Sequence, residues 1–290
     1  MKRILIATDY SKAAETALHT ACFLAEKLEA EVQAVNVFEM TPSYMSTLSL
    51  GYAQKEKRLI QENRERLINF CARKSQENAG WEISNVHLKE HSIASEAIIK
   101  LAEEIKADLI IVGMHRGNRW KEFFMGSTAT NLIKGSLVPL LAVPDEFILQ
   151  DLKSFVYATD FEEADILAIK SLAEIARCLE KPIKLIHIST EKEYAGMQQL
   201  EWFKEMLKEQ VSYSRISFEL ILSNNIQIAL NTYLNNVTNA ILVMLEREDK
   251  DSFLNFWRLD MVEKMKLERI YPLWSFKKES LREFLRKESK

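Results

Sequence analysis

Cysteine, glycine and proline are all scarce in this chain of 290 residues, and neither sign of charge dominates. The three cysteines, Cys22, Cys71 and Cys178, are far apart and odd in number, which suggests neither a disulfide framework nor a metal cluster. Each falls in a helical pattern and is expected to be a small core residue. A net charge of -3 gives no electrostatic reason to expect a nucleic acid as partner. No apolar run approaches the length of a bilayer, and Met1-Lys2-Arg3 leads straight into a strand pattern without the apolar stretch of a secretory leader. A cytoplasmic location with no membrane partner is the expectation. The five histidines have no ligand-like spacing to cysteine or carboxylate, so no metal site is expected. A Walker-type Gly-Lys-Ser/Thr is also missing, because Lys134-Gly135-Ser136 runs in the wrong order, and there is no nucleophilic serine elbow. No catalytic residue is expected.

What is present is a globular chain, 47% hydrophobic and 28% charged, long enough for one large domain or two of ordinary size. Of its seven glycines, four (Gly113, Gly117, Gly126 and Gly135) crowd one short window. The apolar run Leu109-Ile110-Ile111-Val112 leads into the first of them, as a buried parallel strand leads into its loop. Gly126-Ser127-Thr128 then opens a helix-compatible segment. A glycine turn after a strand, followed by Gly-Ser at a helix start, turns backbone N–H groups toward a phosphate. A plain loop punctuated by glycines is the competing reading.

Taken in order, Ile4 to Ala7 reads as a strand ending at Thr8-Asp9. Ser11 offers the N-cap of a helix that buries Ala14, Leu18, Ala21, Cys22, Ala25 and Leu28. Val32 to Val37 is a second strand, which implies a crossover within a parallel sheet. Residues 41–52 read as a loop and 53–78 as a charged helix with Ile60, Leu67 and Cys71 inward. Trp81 to Leu88 is a third strand, Ser95 to Ile105 a helix, and Leu137 to Val143 a fifth strand that Pro139 starts or places near an edge. The pattern then repeats. Lys2-Arg3-Ile4-Leu5-Ile6-Ala7-Thr8-Asp9-Tyr10 returns as Lys153-Ser154-Phe155-Val156-Tyr157-Ala158-Thr159-Asp160-Phe161. Ile183 to Ile188, Ala240 to Val243 and Tyr271 to Trp274 repeat the second, fourth and fifth strands. Two α/β units follow, residues 1–146 and 152–277, with a basic helical tail at 278–290 whose Leu281, Phe284 and Leu285 share one side.

Ala-Thr-Asp closing the first strand, the five-strand order and the glycine window resemble the universal stress protein family in its tandem form, over nearly the whole chain. The resemblance implies two doubly wound five-stranded parallel sheets. It also implies ATP, with or without Mg2+, held by a pattern of Gly, two residues, Gly, nine residues and Gly-Ser/Thr. Here Gly113 and Gly126-Ser127 are in register, but Arg116 stands at the middle glycine and Gly117 follows it. Either Arg116 crowds the phosphate approach, or the loop slips so that Gly117 makes the turn and Arg116 reaches back as a charged donor.

On that resemblance, Ala7, Thr8 and Asp9 lie by the adenine or ribose, with Val37 at the adenine edge. Val112 and Gly113 let the ribose and phosphate approach. Gly126, Ser127 and Thr128 hold phosphate oxygens at the helix start. Helix capping competes for Asp9 and Ser127, and His115 reads as a surface residue. The second unit, aligned as Val243-Met244-Leu245-Glu246-Arg247-Glu248 against Val112 to Gly117, has no glycine, and Leu259-Asp260 answers Gly126-Ser127. Bulky and acidic residues there (Glu246, Glu248, Asp249, Asp251) imply a copy that binds no ATP, with Phe253, Phe256 and Trp257 plugging its cleft or packing between units. The family pairs subunits through fifth strands, so Leu140–Val143 and Leu273–Phe276 could make an intramolecular pseudo-dimer, alone or within a homodimer. The implied function is a nucleotide-responsive regulatory module acting through protein partners. A scaffold of the same fold without nucleotide and a slow ATP hydrolase are the alternatives.

Overall fold

Strand β1 (Arg3–Ala7) is buried on both faces at Ile4, Leu5 and Ile6, as expected of a parallel strand covered by helices on either side. Helix α1 (Lys12–Leu28) follows because Ser11 caps it: its Oγ accepts the Ala14 N–H at 3.1 Å, a bond worth about 1 kcal/mol. Glu29, at φ 51°, ends α1 in the left-handed region, and the Ala30 N–H closes onto the Ala25 carbonyl at 2.9 Å. The computed structural model describes residues 1–40, 50–77, 83–114, 126–189, 196–246 and 271–281. The remaining elements of the first half are β2 (Glu31–Phe38), α2 (Leu50–Glu77), β3 (Ile83–Glu90), α3 (Ala94–Glu104), β4 (Leu109–Met114), α4 (Ser127–Gly135) and β5 (Leu140–Pro144). The second half contains β6 (Ser154–Ala158), α5 (Glu163–Cys178), β7 (Ile183–Ser189), α6 (Gly196–Gln210), β8 (Ile216–Leu222), α7 (Ile226–Asn236), β9 (Ala240–Glu246) and β10 (Leu273–Lys277).

The ten strands among the described residues form one sheet in the order β3-β2-β1-β4-β5-β10-β9-β6-β7-β8. Each half is parallel and follows the same winding. The halves meet where β5 and β10 pair antiparallel, with Trp274 opposite Leu141. One apolar layer lies under α1, α2, α5 and α6, and a second under α3, α4 and α7, each running through both halves. The seam is filled by Trp274, fully buried, stacked on Phe276 at 6.2 Å and edge-on to Phe155 at 6.3 Å. Lys277 donates across it to the Lys134 carbonyl at the end of α4, and Lys278 pairs with Glu162 at 2.8 Å.

Non-glycine residues at positive φ recur in matched places. Tyr10 answers Phe161, Glu29 answers Glu180, and Lys106 answers Asn239. Such a residue costs about 1 kcal/mol. After α1, α3 and α5 the cost is offset by the bond that the next N–H makes back into the helix, to Ala25, Ala102 and Ala176.

Several expectations are corrected. Ile60 is exposed rather than inward, while Leu67 and Cys71 are buried as expected; α2 begins at Leu50. Cys22 and Cys71 are core residues, and burial pushes their thiols up to about 12 and about 11. Cys178 is exposed, because it sits in the last turn of α5 beyond its apolar stripe. Pro139 immediately precedes β5, as its missing N–H requires. Leu281 packs into the layer under α5 and α6. Trp81, Phe253, Phe256, Trp257, Phe284 and Leu285 lie outside the described residues.

Candidate functional site

The chain winds from β1 outward through β2 and β3, then returns to place β4 on the other side of β1. The crevice where the winding reverses, at the carboxyl ends of β1 and β4, is where open α/β sheets receive ligands. Ala7 and Val112 pair directly there. Ala7 and Val37 are half-buried while the residues before them in their strands are covered, so they form an apolar floor on the α3/α4 side.

The turn after β1 is held by its own side chains. The Thr8 N–H donates to the Val35 carbonyl at 2.9 Å, and the Thr8 Oγ1 accepts the Tyr10 N–H at 2.9 Å. The Asn36 amide donates to the Thr8 carbonyl at 2.8 Å. Asn36 is a residue that the sequence reading missed, although a buried-strand pattern interrupted by a single asparagine is a legible signal. Asp9 is exposed, and its Oδ1 accepts the Ser11 N–H at 3.0 Å, closing an Asx turn; the helix cap is Ser11, not Asp9. Tyr10 packs edge-on to Phe70 at 5.5 Å under the Arg66 guanidinium, 4.2 Å from its ring centre. Burial pushes the Tyr10 hydroxyl up, and Arg66 pulls it partly back.

The two glycines serve different needs. A Cβ on Gly113 would lie 2.5 Å from the Ala13 carbonyl carbon and 2.7 Å from the Ala14 nitrogen, so this glycine lets α1 press against β4. Gly126 would meet nothing within 4 Å; it is required by its backbone, at φ 78° and ψ 147°. Gly126 occupies the N-cap of α4, so Ser127 is the exposed first helical residue and not the cap. The Gly126 carbonyl accepts from the Thr130 N–H at 3.1 Å and from its hydroxyl at 2.9 Å. The N–H groups of Ser127, Thr128 and Ala129 precede the first bond within the helix, and a glycine cap has no side chain to accept from them. With no acid in the first turn, this end of α4 favours an anion. His115, Arg116 and Gly117 lie outside the described residues.

The corresponding turn in the second half has the same backbone and other chemistry. Asp165, fully buried, accepts from the Tyr157 hydroxyl at 2.8 Å, the Thr159 hydroxyl at 2.9 Å, the Asp160 N–H at 3.1 Å and the Glu162 N–H at 3.2 Å. His187 takes the place of Asn36, its Nδ1 2.7 Å from the Thr159 carbonyl and its ring stacked on Phe161 at 4.2 Å. Strand register also corrects the expected alignment. Ile4 pairs with Leu109 and Phe155 with Ile241, and Pro139 and Pro272 accept from Ile110 and Leu242. Gly113 is therefore matched by Leu245, not Met244. Leu245 is buried, and α5 stands farther from β9 than α1 does from β4.

Among the described residues, no group of His, Cys, Asp and Glu could hold a metal ion, and no helix is long and apolar enough to cross a membrane. A family model described as the universal stress protein family matches residues 1–144. A universal stress protein of Methanocaldococcus jannaschii is 32% identical, covering 49% of this chain and 94% of the relative. A Staphylococcus aureus protein bearing the same family name is 31% identical over 56% of this chain and 95% of its own. The crystal structure of a universal stress protein from Archaeoglobus fulgidus aligns with a TM-score of 0.67 at 14% identity, covering 95% of this chain and 98% of that one; at that identity the likeness concerns the fold.

Proposed function

This chain belongs to the universal stress protein family, and we propose that its first half is an adenine-nucleotide-binding regulatory module that acts through protein partners. ATP is the ligand of this reading, with Mg2+ carried by the nucleotide. The observation that carries it is the convergence, at the β1/β4 crevice, of an apolar floor with a glycine-capped helix N-terminus. Ala7 and Val37 would take the base, Asp9 the ribose, and the Gly126 to Thr128 end of α4 the phosphates. In the sequence, Arg116 and Gly117 fall between the end of β4 and the start of α4. The second half is a non-binding copy. Leu245 in the place of Gly113 and the Asp165 network support this assignment. No catalytic residue is assigned, so phosphate release from ATP should not follow the protein through purification.

The test is to denature the purified protein and chromatograph what it releases, then to measure its melting with ATP and magnesium. A ligand at 100 times its Kd adds about 2.7 kcal/mol of stability. Released adenine nucleotide and an upward shift support the reading. Neither, at millimolar ATP, would leave the second reading, a scaffold of this fold without nucleotide. One observation favours that scaffold: packing against α1 accounts for Gly113 with no ligand present.

A further inference from the structure

The ten-stranded sheet has two unlike edges. At one, β3 is bulged against β2 between Val32 and Gln33 and carries His87, Lys89 and Glu90. Bulges and charges of this kind blunt an edge against further pairing. At the other edge, β8 reads Ile216-Ser-Phe-Glu-Leu-Ile-Leu222, with no proline, no glycine and no register shift against β7. Its single charge, Glu219, accepts a hydrogen bond from the Tyr233 hydroxyl at 2.8 Å. Leu220 and Leu222, on one face of the strand, are 38% and 62% exposed.

The direction of each amide in β8 follows from its pairing. The Ile183 N–H donates to Arg215 and the Ser223 N–H to Ser189, so the alternation of a parallel ladder turns Ser217, Glu219 and Ile221 toward β7. Phe218, Leu220 and Leu222 therefore turn their N–H and carbonyl groups outward. An antiparallel partner identical to β8 can join this row in several registers. Centring on Glu219 sets two carboxylates against each other, which is unfavourable. Centring on Leu220 sets Leu220 against Leu220, Phe218 against Leu222, and Glu219 against Ile221. That register satisfies the outward groups, stacks apolar pairs on the exposed face and keeps like charges apart.

We propose that β8 is a self-complementary edge through which two copies of this chain associate, antiparallel and centred on Leu220. The contact is isologous and closes on itself as a dimer. It is separate from the β5–β10 seam and does not depend on nucleotide binding.

Sedimentation of the full chain from micromolar to submillimolar concentration tests the association. The expected result is a monomer–dimer equilibrium. The amides of Phe218, Leu220 and Leu222 should exchange more slowly as concentration rises, while those of Ser217, Glu219 and Ile221 stay unchanged. Leu220→Pro removes an outward N–H and no bond to β7, so it should weaken association about tenfold or more. Leu222→Lys, a charge on an exposed side chain, should act in the same direction and serves if the proline variant does not fold. A monomer throughout, exchange indifferent to concentration, or a dimer untouched by both substitutions overturns the proposal. So does a mass that grows without limit, the signature of β8 joining β3 of the next copy.

Discussion

The turn after β1 and the turn after β6 share a backbone, down to an aromatic residue at positive φ, yet they are held by different means. In the first, Thr8, Ser11 and Asn36 brace the chain with neutral groups, and the Asp9 carboxylate closes its Asx turn from the surface. In the second, one buried carboxylate gathers four donors, and a histidine stacks where the asparagine stood. The same contrast recurs one strand away, where α1 rests on a glycine in β4 while β9 presents a leucine. A turn can thus keep its path while its chemistry moves from an open rim to a sealed interior.

The largest way to break this contrast is Asp165→Ala. It strands the Tyr157 and Thr159 hydroxyls and two backbone N–H groups, and should cost about 4 kcal/mol in urea unfolding. Ala14, its counterpart in α1, should accept a change to Ser at far lower cost. Next come the paired strand positions. Leu245→Ala empties a packed site and should cost about 3 kcal/mol. Gly113→Ala forces α1 off β4 and should cost about 2 kcal/mol, with the same denaturation curves as the check.

Ser127→Ala sharpens the comparison from the ligand side. Because Ser127 is exposed, stability should hardly change, while the Kd for ATP should rise about fivefold, the loss of one hydrogen bond. Titration calorimetry reads this, and an unchanged Kd would remove the Ser127 hydroxyl from the site.

The smallest effect concerns His87, whose Nε2 lies 2.7 Å from the Gln33 amide oxygen where the second half has Glu219. Burial, and then the Lys89 ammonium, holds this histidine below its ordinary value, with Glu104 pulling the other way. The unfolded chain therefore takes up the proton first. The stability due to neutral His87 is complete above roughly pH 6.5 and is lost as pH falls toward the native value. Urea midpoints measured from pH 7.5 to 5 should fall less steeply for His87→Gln than for the unaltered chain.

Much of this architecture was legible because its causes are local. Ser11 before an apolar stripe, Pro139 before a strand and the returning Ala-Thr-Asp each act through neighbouring residues, and the structure has them in those places. What sequence missed was decided by tertiary position. Ile60 shares a helical period with Leu67, yet in the folded chain Leu67 is buried and Ile60 is left exposed. Asp165 sits between buried Ala164 and Ile166, and an acid inside an apolar stripe was the available sign of its network. The second half's counterpart to Gly113 was displaced by one residue, since an apolar run without glycine can be slid along its counterpart and only hydrogen-bond register pins it.

The antiparallel meeting of β5 and β10 has a geometric consequence. It turns the halves head to tail, so the rim holding Asp9 and the start of α4 faces one way and the rim holding Asp160 faces the other. A molecule lodged at one rim therefore lies at the opposite end of the sheet from the other half's rim. Whatever one half communicates to the other must pass through the middle of the molecule, where Trp274 is packed and where Lys277 grips the far end of α4.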